Sequence, residues 1–309
     1  MATTTVSTDE LIRLRHLARN LVLGGRRPVS SVIAGAHLSR FRGRGVDYLE
    51  SRHYEPGDDI RNLDWRVTAR TGRPHTKIFQ EERERPVIVL LDLEAAMFFG
   101  TQRRLKAVLA AEIAALVGWA AVRRGDRIGG LVYWDSLNHQ EIRPRGGRRG
   151  MMRYLGIIEQ AFEARASTTA SYSEHGLCEA LIRLRRVLRP GSLVIMVSDF
   201  MSMDDECDRH LSRIRQHNDL AAFQVLDALE REIPPPGVYP VADGRGDQAV
   251  LDLRARGSRQ MFEAGVVGIA QRARDRLAGF GIPVVPSDPR EEAIDVVAQL
   301  FAKTRGARR

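Results

Sequence analysis

From Pro86 onward, uninterrupted apolar runs alternate with helix-length segments, and this alternation restricts the fold more than any other feature of the chain. The runs are VIVLLDL (87–93), RIGGLVYW (127–134), SLVIMVSDF (192–200), LAAFQVLD (220–227) and IPVVP (282–286). Helical patterns fall at 101–124, 149–164, 176–189, 204–217 and 258–280, with a short strand, EIRPR (141–145), after the second run. A strand that is apolar at every position is covered on both faces, and helices between such strands make the sheet mostly parallel. A doubly wound, mostly parallel α/β domain is therefore expected over 86–303, followed by a basic tail at 304–309. GVYPVADGRGDQAVLDL (237–253) reads as a hairpin; its Arg245-Gly246-Asp247 tripeptide matches an integrin-binding sequence, a match that chance explains in a chain rich in Arg and Gly.

The first part of the chain has a different texture. STDELIRLRHLARNLVLGG (7–25) has Ser7 and Glu10 at capping-box spacing, apolar residues at helical spacing and a Gly pair as a stop, so an amphipathic helix is expected within 1–27. Residues 28–85 are rich in Gly, Arg and Asp and read as a loop-rich segment with short strands such as HTKIF (75–79).

The 309 residues include 48 basic and 39 acidic side chains, a formal net charge of +9, yet Lys77, Lys106 and Lys303 are the only lysines. Residues 1–85 hold 16 basic and 11 acidic side chains, which suggests an attachment surface for acidic partners. Cys178 and Cys207 have no C-x-x-C neighbour and no metal-ligand spacing in the sequence, which fits a reducing compartment. AVLAAEIAALVGWAAV (107–122) is short for a bilayer and contains Glu112, so it reads as a core helix. With no signal peptide legible, the expected location is the cytoplasm, peripheral membrane contact remaining open.

In open α/β sheets, ligands sit beyond the carboxyl ends of the strands. Asp92, Asp199 and Asp227 end apolar runs, where an acid can serve a site, cap the next helix or pair with arginine. Several enzyme signatures are missing from the sequence. There is no G-x-x-x-x-G-K-[ST] or G-x-S-x-G, and Gly43-Arg44-Gly45 lacks the third glycine of a dinucleotide fingerprint. His210 and His217 do not form H-E-x-x-H, and DLEAA lacks the second aspartate of a phosphatase-type loop.

FRGRGVDYLESRHYEPGDDIRNLDWRVTARTGRPHTKIFQEERERPVIVLLD (41–92), and within it YEPGDDIRNLDWRVTAR (54–70), closely resembles the signature of the domain-of-unknown-function family 58. The resemblance is tight over about 41–100 and looser to roughly 230. It implies a von Willebrand factor A-like fold and work beside a MoxR-type AAA+ ATPase, as an adaptor or in the assembly of a client complex. Many members carry N-terminal membrane segments, and none is legible here. The A-like fold commonly carries a metal-ion-dependent adhesion site: D-x-S-x-S after the first strand, a threonine on a later loop and an aspartate after the fourth strand, an oxygen shell suited to Mg²⁺. The resemblance places Asp92 and Asp199 at the two aspartates and Glu94 and Ala96 at the two serines. SYSEHGLCEAL (171–181) takes the place of the threonine loop, with Ser173 and His175 facing the site. The result is a degenerate site in which Asp92, Glu94 and Asp199 are the acidic ligands and Mg²⁺ the candidate ion. An extended chain would send Asp92, Glu94 and Ala96 to one side. Without a cation, carboxylates so crowded should raise a pKa or recruit an arginine.

The signature itself is a second constellation. A Pro56-Gly57 turn lies among Asp58, Asp59 and Asp64 and among Arg52, Arg61, Arg66 and Arg70, beside Tyr54 and Trp65. Charge at this density suggests bidentate pairs locking the segment, with Trp65 as an apolar anchor; the alternative is a docking surface. The leading expectation is a non-enzymatic interaction module. A metal-dependent hydrolase using Asp92, Glu94 and Asp199 is the alternative. Nucleic-acid binding comes third: RPRGGRR (143–149), the arginines from Arg183 to Arg189 and RGARR (305–309) offer charge, but no stacking aromatics accompany them.

Overall fold

The computed structural model describes residues 3–21, 46–81, 85–135, 137–166, 175–242 and 248–306. Ser173, the Arg245-Gly246-Asp247 tripeptide and residues 307–309 lie outside the described residues. The chain forms two compact units, residues 1–29 with 85–309 and residues 30–84.

The chain opens with α1 (Thr8–Arg13), capped reciprocally by Ser7 and Glu10. The smaller unit then pairs β1 (Val46–His53) antiparallel with β2 (His75–Glu81), and α2 (Trp65–Thr71) lies between them in sequence. The larger unit continues with β3 (Pro86–Asp92), α3 (Lys106–Arg123), β4 (Arg127–Tyr133), β5 (His139–Gly146) and α4 (Gly147–Ala166). Next come α5 (Gly176–Val187), β6 (Leu193–Ser198), α6 (Asp205–Arg215), β7 (Asp219–Val225) and α7 (Ala228–Arg231). It ends with the hairpin β8 (Val238–Ala242) and β9 (Gln248–Asp252), then α8 (Arg256–Phe262), α9 (Gly268–Gly279), β10 (Val284–Ser287) and α10 (Ala293–Gly306).

The central sheet has six strands in the order β10-β7-β6-β3-β4-β5, parallel except for β5. From its antiparallel edge the order within the sheet is third, second, first, fourth, fifth, sixth, the doubly wound arrangement of an A-like fold. Period-two alternation explains why the apolar runs have no polar face: each strand feeds two cores. Val87, Val89 and Leu91 pack into a layer with α3, α4 and α10, while Ile88 and Leu90 pack into the opposite layer with α5, α6 and α9. AVLAAEIAALVGWAAV is buried almost all round, as a helix between a sheet and further helices must be.

The N-terminal helix is shorter than its periodicity predicts, and the cause is a tertiary bond. The Trp119 indole N–H donates to the Leu11 carbonyl at 3.0 Å, so the Arg15 N–H, which would bond Leu11 in a continued helix, turns to Ile12 instead at 3.0 Å. The segment docks on α3 and α4: Leu11 is buried, and both Thr8 N–H and hydroxyl donate to Glu159, at 3.0 and 2.6 Å. Trp119→Phe keeps an aromatic side chain but removes the indole N–H and strands the Leu11 carbonyl. Denaturant unfolding should show a loss of about 1–3 kcal/mol, whereas an unchanged midpoint would mean that the indole bond does not hold the segment.

Candidate functional site

At the centre of the sheet β3 and β6 lie side by side, and the chain proceeds outward from them in opposite directions. This is the switch point at which a parallel sheet opens a crevice beyond its carboxyl ends. Asp92 ends β3, Asp199 follows β6, and both are buried, as is Glu94. The chain does not stay extended beyond Asp92: Ala95–Phe98 forms one turn of 3-10 helix, so Ala96 does not continue the Asp92–Glu94 alternation.

The two aspartates are already engaged. Asp92 Oδ1 accepts the Glu94 N–H at 2.9 Å, and its Oδ2 accepts the Ser198 hydroxyl at 2.6 Å. Ser198 Oγ in turn accepts the Phe200 N–H at 3.0 Å, and Phe200 is held at φ 59°, a left-handed conformation unusual for a bulky residue. Asp199 Oδ1 accepts the Met201 N–H at 3.0 Å. Its Oδ2 lies 2.9 Å from Nζ of Lys106, which also reaches Glu230 Oε1 at 2.7 Å. Lys106 is the first residue of α3 and has no exposed surface. Glu230 completes a capping box with Asp227 at the start of α7, and Asp227 accepts the Thr101 N–H at 3.0 Å and hydroxyl at 2.7 Å. One ammonium thus ties the start of α3 to the loops that follow β6 and β7.

Glu94 is placed differently. Its carboxylate lies against Gly176, the first residue of α5, where a methyl group would overlap it. Its Oε1 is buried without a hydrogen-bond partner, as is the Tyr133 hydroxyl, which has no well-aligned bond although it lies close to Asp92. Burial, followed by the charge of Asp199, raises the Asp92 pKa; burial, followed by Asp92 and Asp199, raises that of Glu94. Burial also raises Glu230 against the opposing pull of Lys106. For Lys106 burial acts downward but is outweighed by Asp199 and Glu230, leaving the ammonium held above the usual lysine range.

These residues do not fit an octahedral Mg²⁺ shell. Ala96 supplies no oxygen, the oxygens of Asp92 and Asp199 have protein donors, and Lys106 brings a positive charge into the cluster. Among the described residues only two groups of His, Cys, Asp or Glu bring three ligand atoms within 4.8 Å of one another, Cys178 with Asp204 and Cys207, and Cys178 with Glu206 and His210; neither includes Asp92, Glu94 or Asp199. The cation recruited is a lysine, not an arginine. His175 does not face the cluster either: its side chain is 70% exposed, with Nδ1 3.8 Å from Asp204 Oδ2, and Gly176 meets Glu94 in its stead. The sequence signal for Lys106 was its rarity, a lone lysine opening the most apolar helix of an arginine-rich chain.

In the smaller unit the acids of the signature work mainly as caps. Asp64 accepts the Ser51 hydroxyl at 2.6 Å and the Val67 N–H at 3.2 Å at the head of α2, and Asp59 accepts the Arg61 N–H at 3.0 Å. Arg52 pairs with Asp58 at 2.7 Å and Glu55 at 3.3 Å, around the turn where Gly57 takes φ 110°. The Glu55 N–H bond lowers the Asp58 pKa, and the Ser51 bond lowers that of Asp64. Tyr54 joins through its backbone, N–H to Pro74 O at 2.9 Å. The expected lattice of bidentate pairs is absent among the described residues: Arg61, Arg66 and Arg70 are exposed and make no ion pair there. Trp65 is no buried anchor, being 70% exposed, and Ile60 is 65% exposed.

A family profile described as "Protein of unknown function DUF58" matches residues 50–273. "Uncharacterized protein Rv1480" of Mycobacterium tuberculosis and "Uncharacterized protein Mb1516" of Mycobacterium bovis are each 29% identical over 304 residues, covering 96% of this chain and 91% of theirs. Among solved structures, the conserved hypothetical protein BatB from Bacteroides thetaiotaomicron is similar at 13% identity and a TM-score of 0.41, over 72% of this chain and 99% of that one. The von Willebrand factor type A structure from Catenulispora acidiphila is similar at 8% identity and a TM-score of 0.33, over 74% and 43%.

The carboxyl cluster makes stability depend on pH with a definite sign. A glutamate whose folded pKa is raised stabilises fully below its ordinary value of 4.5, and that contribution is lost as pH rises through the folded value. Glu94→Gln mimics the protonated acid at every pH. The stability of the wild type relative to this variant should fall as pH rises above 4.5, with a slope of at most ~1.4 kcal/mol per pH unit for the proton concerned. Denaturant midpoints from pH 5 to 8 measure it, and a difference that stays flat with pH would contradict the buried, protonated state.

Proposed function

The chain belongs to the DUF58 family, and we propose that it is a non-enzymatic interaction module of the cytoplasm that docks a MoxR-type AAA+ ATPase and a client protein. The observation that carries the reading is Lys106. A crevice in which a buried ammonium already takes up Asp199, beside Glu230, offers a partner's carboxylate no open cation and is poorly suited to activating a water on a metal. The switch-point acids then serve to hold loops in place, and recognition falls to surfaces.

The signature unit supplies such a surface. Trp65 and Ile60 are exposed on a short stretch that also exposes Arg61, Arg66 and Arg70, and a large aromatic flanked by arginines is the composition of an interface hot spot. The arginines favour an acidic partner face. The two buried, unbridged cysteines suit a reducing cytoplasm, and no helix among the described residues is long and apolar enough to cross a membrane.

The test is co-purification of the full chain with a MoxR-type AAA+ ATPase from the same organism, with and without nucleotide. Trp65→Ala combined with Arg66→Glu should weaken association by about 10-fold or more while changing unfolding stability by no more than about 0.5 kcal/mol, since both side chains are exposed. Association that is absent in the wild type, or unchanged in the variant, would refute this function.

A further inference from the structure

Away from the carboxyl cluster, the first turns of α5 and α6 converge on a second set of side chains. Each helix presents the same pair of positions, its N-cap and the third residue of its first turn. On α5 these are His175 and Cys178, and on α6 they are Asp204 and Cys207. H-x-x-C and D-x-x-C, 29 residues apart in the chain, become one constellation only when the helices pack. Cys178 Sγ, Cys207 Sγ and an Asp204 oxygen lie within 4.8 Å of one another. Both thiols are buried, 3% and 0% exposed, and neither is in a disulfide. Asp204 uses Oδ1 to cap the Cys207 N–H at 2.8 Å, and its Oδ2 lies 3.8 Å from His175 Nδ1 on the solvent side.

We infer that Cys178, Cys207 and Asp204 form a binding site for a thiophilic divalent ion, Zn²⁺ by preference, with His175 closing the fourth position. Two sulfurs and one oxygen are already gathered, and the nitrogen of His175, 3.8 Å from Asp204 Oδ2 but outside that group, would complete the set for a four-coordinate tetrahedral ion rather than an octahedral hard cation. One carboxylate oxygen is fixed by the Cys207 N–H, as the oxygens of metal-ligating carboxylates commonly are, and the other lies towards His175. Burial holds both thiols above the usual cysteine range, so an ion would have to displace their protons on binding. The competing group, Cys178 with Glu206 and His210, is poorer: His210 Nδ1 is only 2.9 Å from the Arg185 guanidinium, a cation that repels a metal. The ion would clamp α5 to α6, and α5 is also the helix whose first residue, Gly176, lies against Glu94.

The experiment uses the full chain, reduced, stripped with chelator and kept free of oxygen, with Zn²⁺ and Co²⁺ as the probes. One equivalent of Zn²⁺ per chain should bind, raise Tm and shield both thiols from a thiol-titrating reagent. Co²⁺ should show a thiolate charge-transfer band and the intense visible bands of a tetrahedral site. Cys178→Ala and Cys207→Ala should abolish the Co²⁺ charge-transfer spectrum. The His175 side chain is 70% exposed, so His175→Ala is expected to fold and keeps the test valid if the cysteine variants do not, a point its circular dichroism checks; it should weaken Zn²⁺ binding by about 10-fold or more. A wild-type chain that binds no Zn²⁺, or a folded variant that binds it as well as the wild type, would overturn the site.

Discussion

The bonds from Lys106 to Asp199 and Glu230 set the arrangement around the switch point. A lysine at the first position of a helix is unfavourable with respect to the helix dipole, and a fully buried ammonium is worse still. It persists here because two carboxylates, each nearly buried, meet it at 2.9 and 2.7 Å. Removing one partner from such a set leaves an uncompensated buried charge, so the ammonium ties the segments after β6 and β7 to the start of α3. Asp92 needs no share of that charge, because the Ser198 hydroxyl and the Glu94 N–H satisfy it.

Other features of the crevice depend on this lock. Phe200 sits in a left-handed conformation directly after Asp199, a strain of order 1–3 kcal/mol that the surrounding bonds must hold. Glu94 is packed against the opening glycine of α5, so its carboxyl is the acid least able to share the ammonium. The cluster has more carboxyls than cations, and burial with mutual repulsion raises the pKa values of Asp92, Glu94 and Glu230 above the ordinary range.

The sheet was legible because an apolar run without polar alternation reports burial on both faces, and Val87 to Leu91 do feed two cores. The hairpin at 237–253 was legible from its turn residues. The early end of α1 was not, since it comes from an indole on α3 reaching a carbonyl more than a hundred positions away. Asp92 and Asp199 could be placed by their strands, but what surrounds them could not. A lone lysine at the start of a helix reads as a surface residue, and only tertiary packing shows that a compact ammonium, without the breadth of a guanidinium, is what fits between two buried carboxylates. Trp65 misled in the opposite sense, because an aromatic among charges reads as an anchor until its exposure is measured. The cysteines lacked ligand spacing along the chain and acquired it only across two helices.

Lys106 holds Asp199 and Glu230 together as the cation of the crevice, and Mg²⁺-dependent thermal stability of Lys106→Ala beside the wild type tests this most directly. The account predicts that the wild type is indifferent to millimolar Mg²⁺, while the variant loses about 3–5 kcal/mol and regains part of it when Mg²⁺ replaces the missing charge. A wild type stabilised by Mg²⁺ as much as the variant, or a variant as stable as the wild type without it, would contradict the claim.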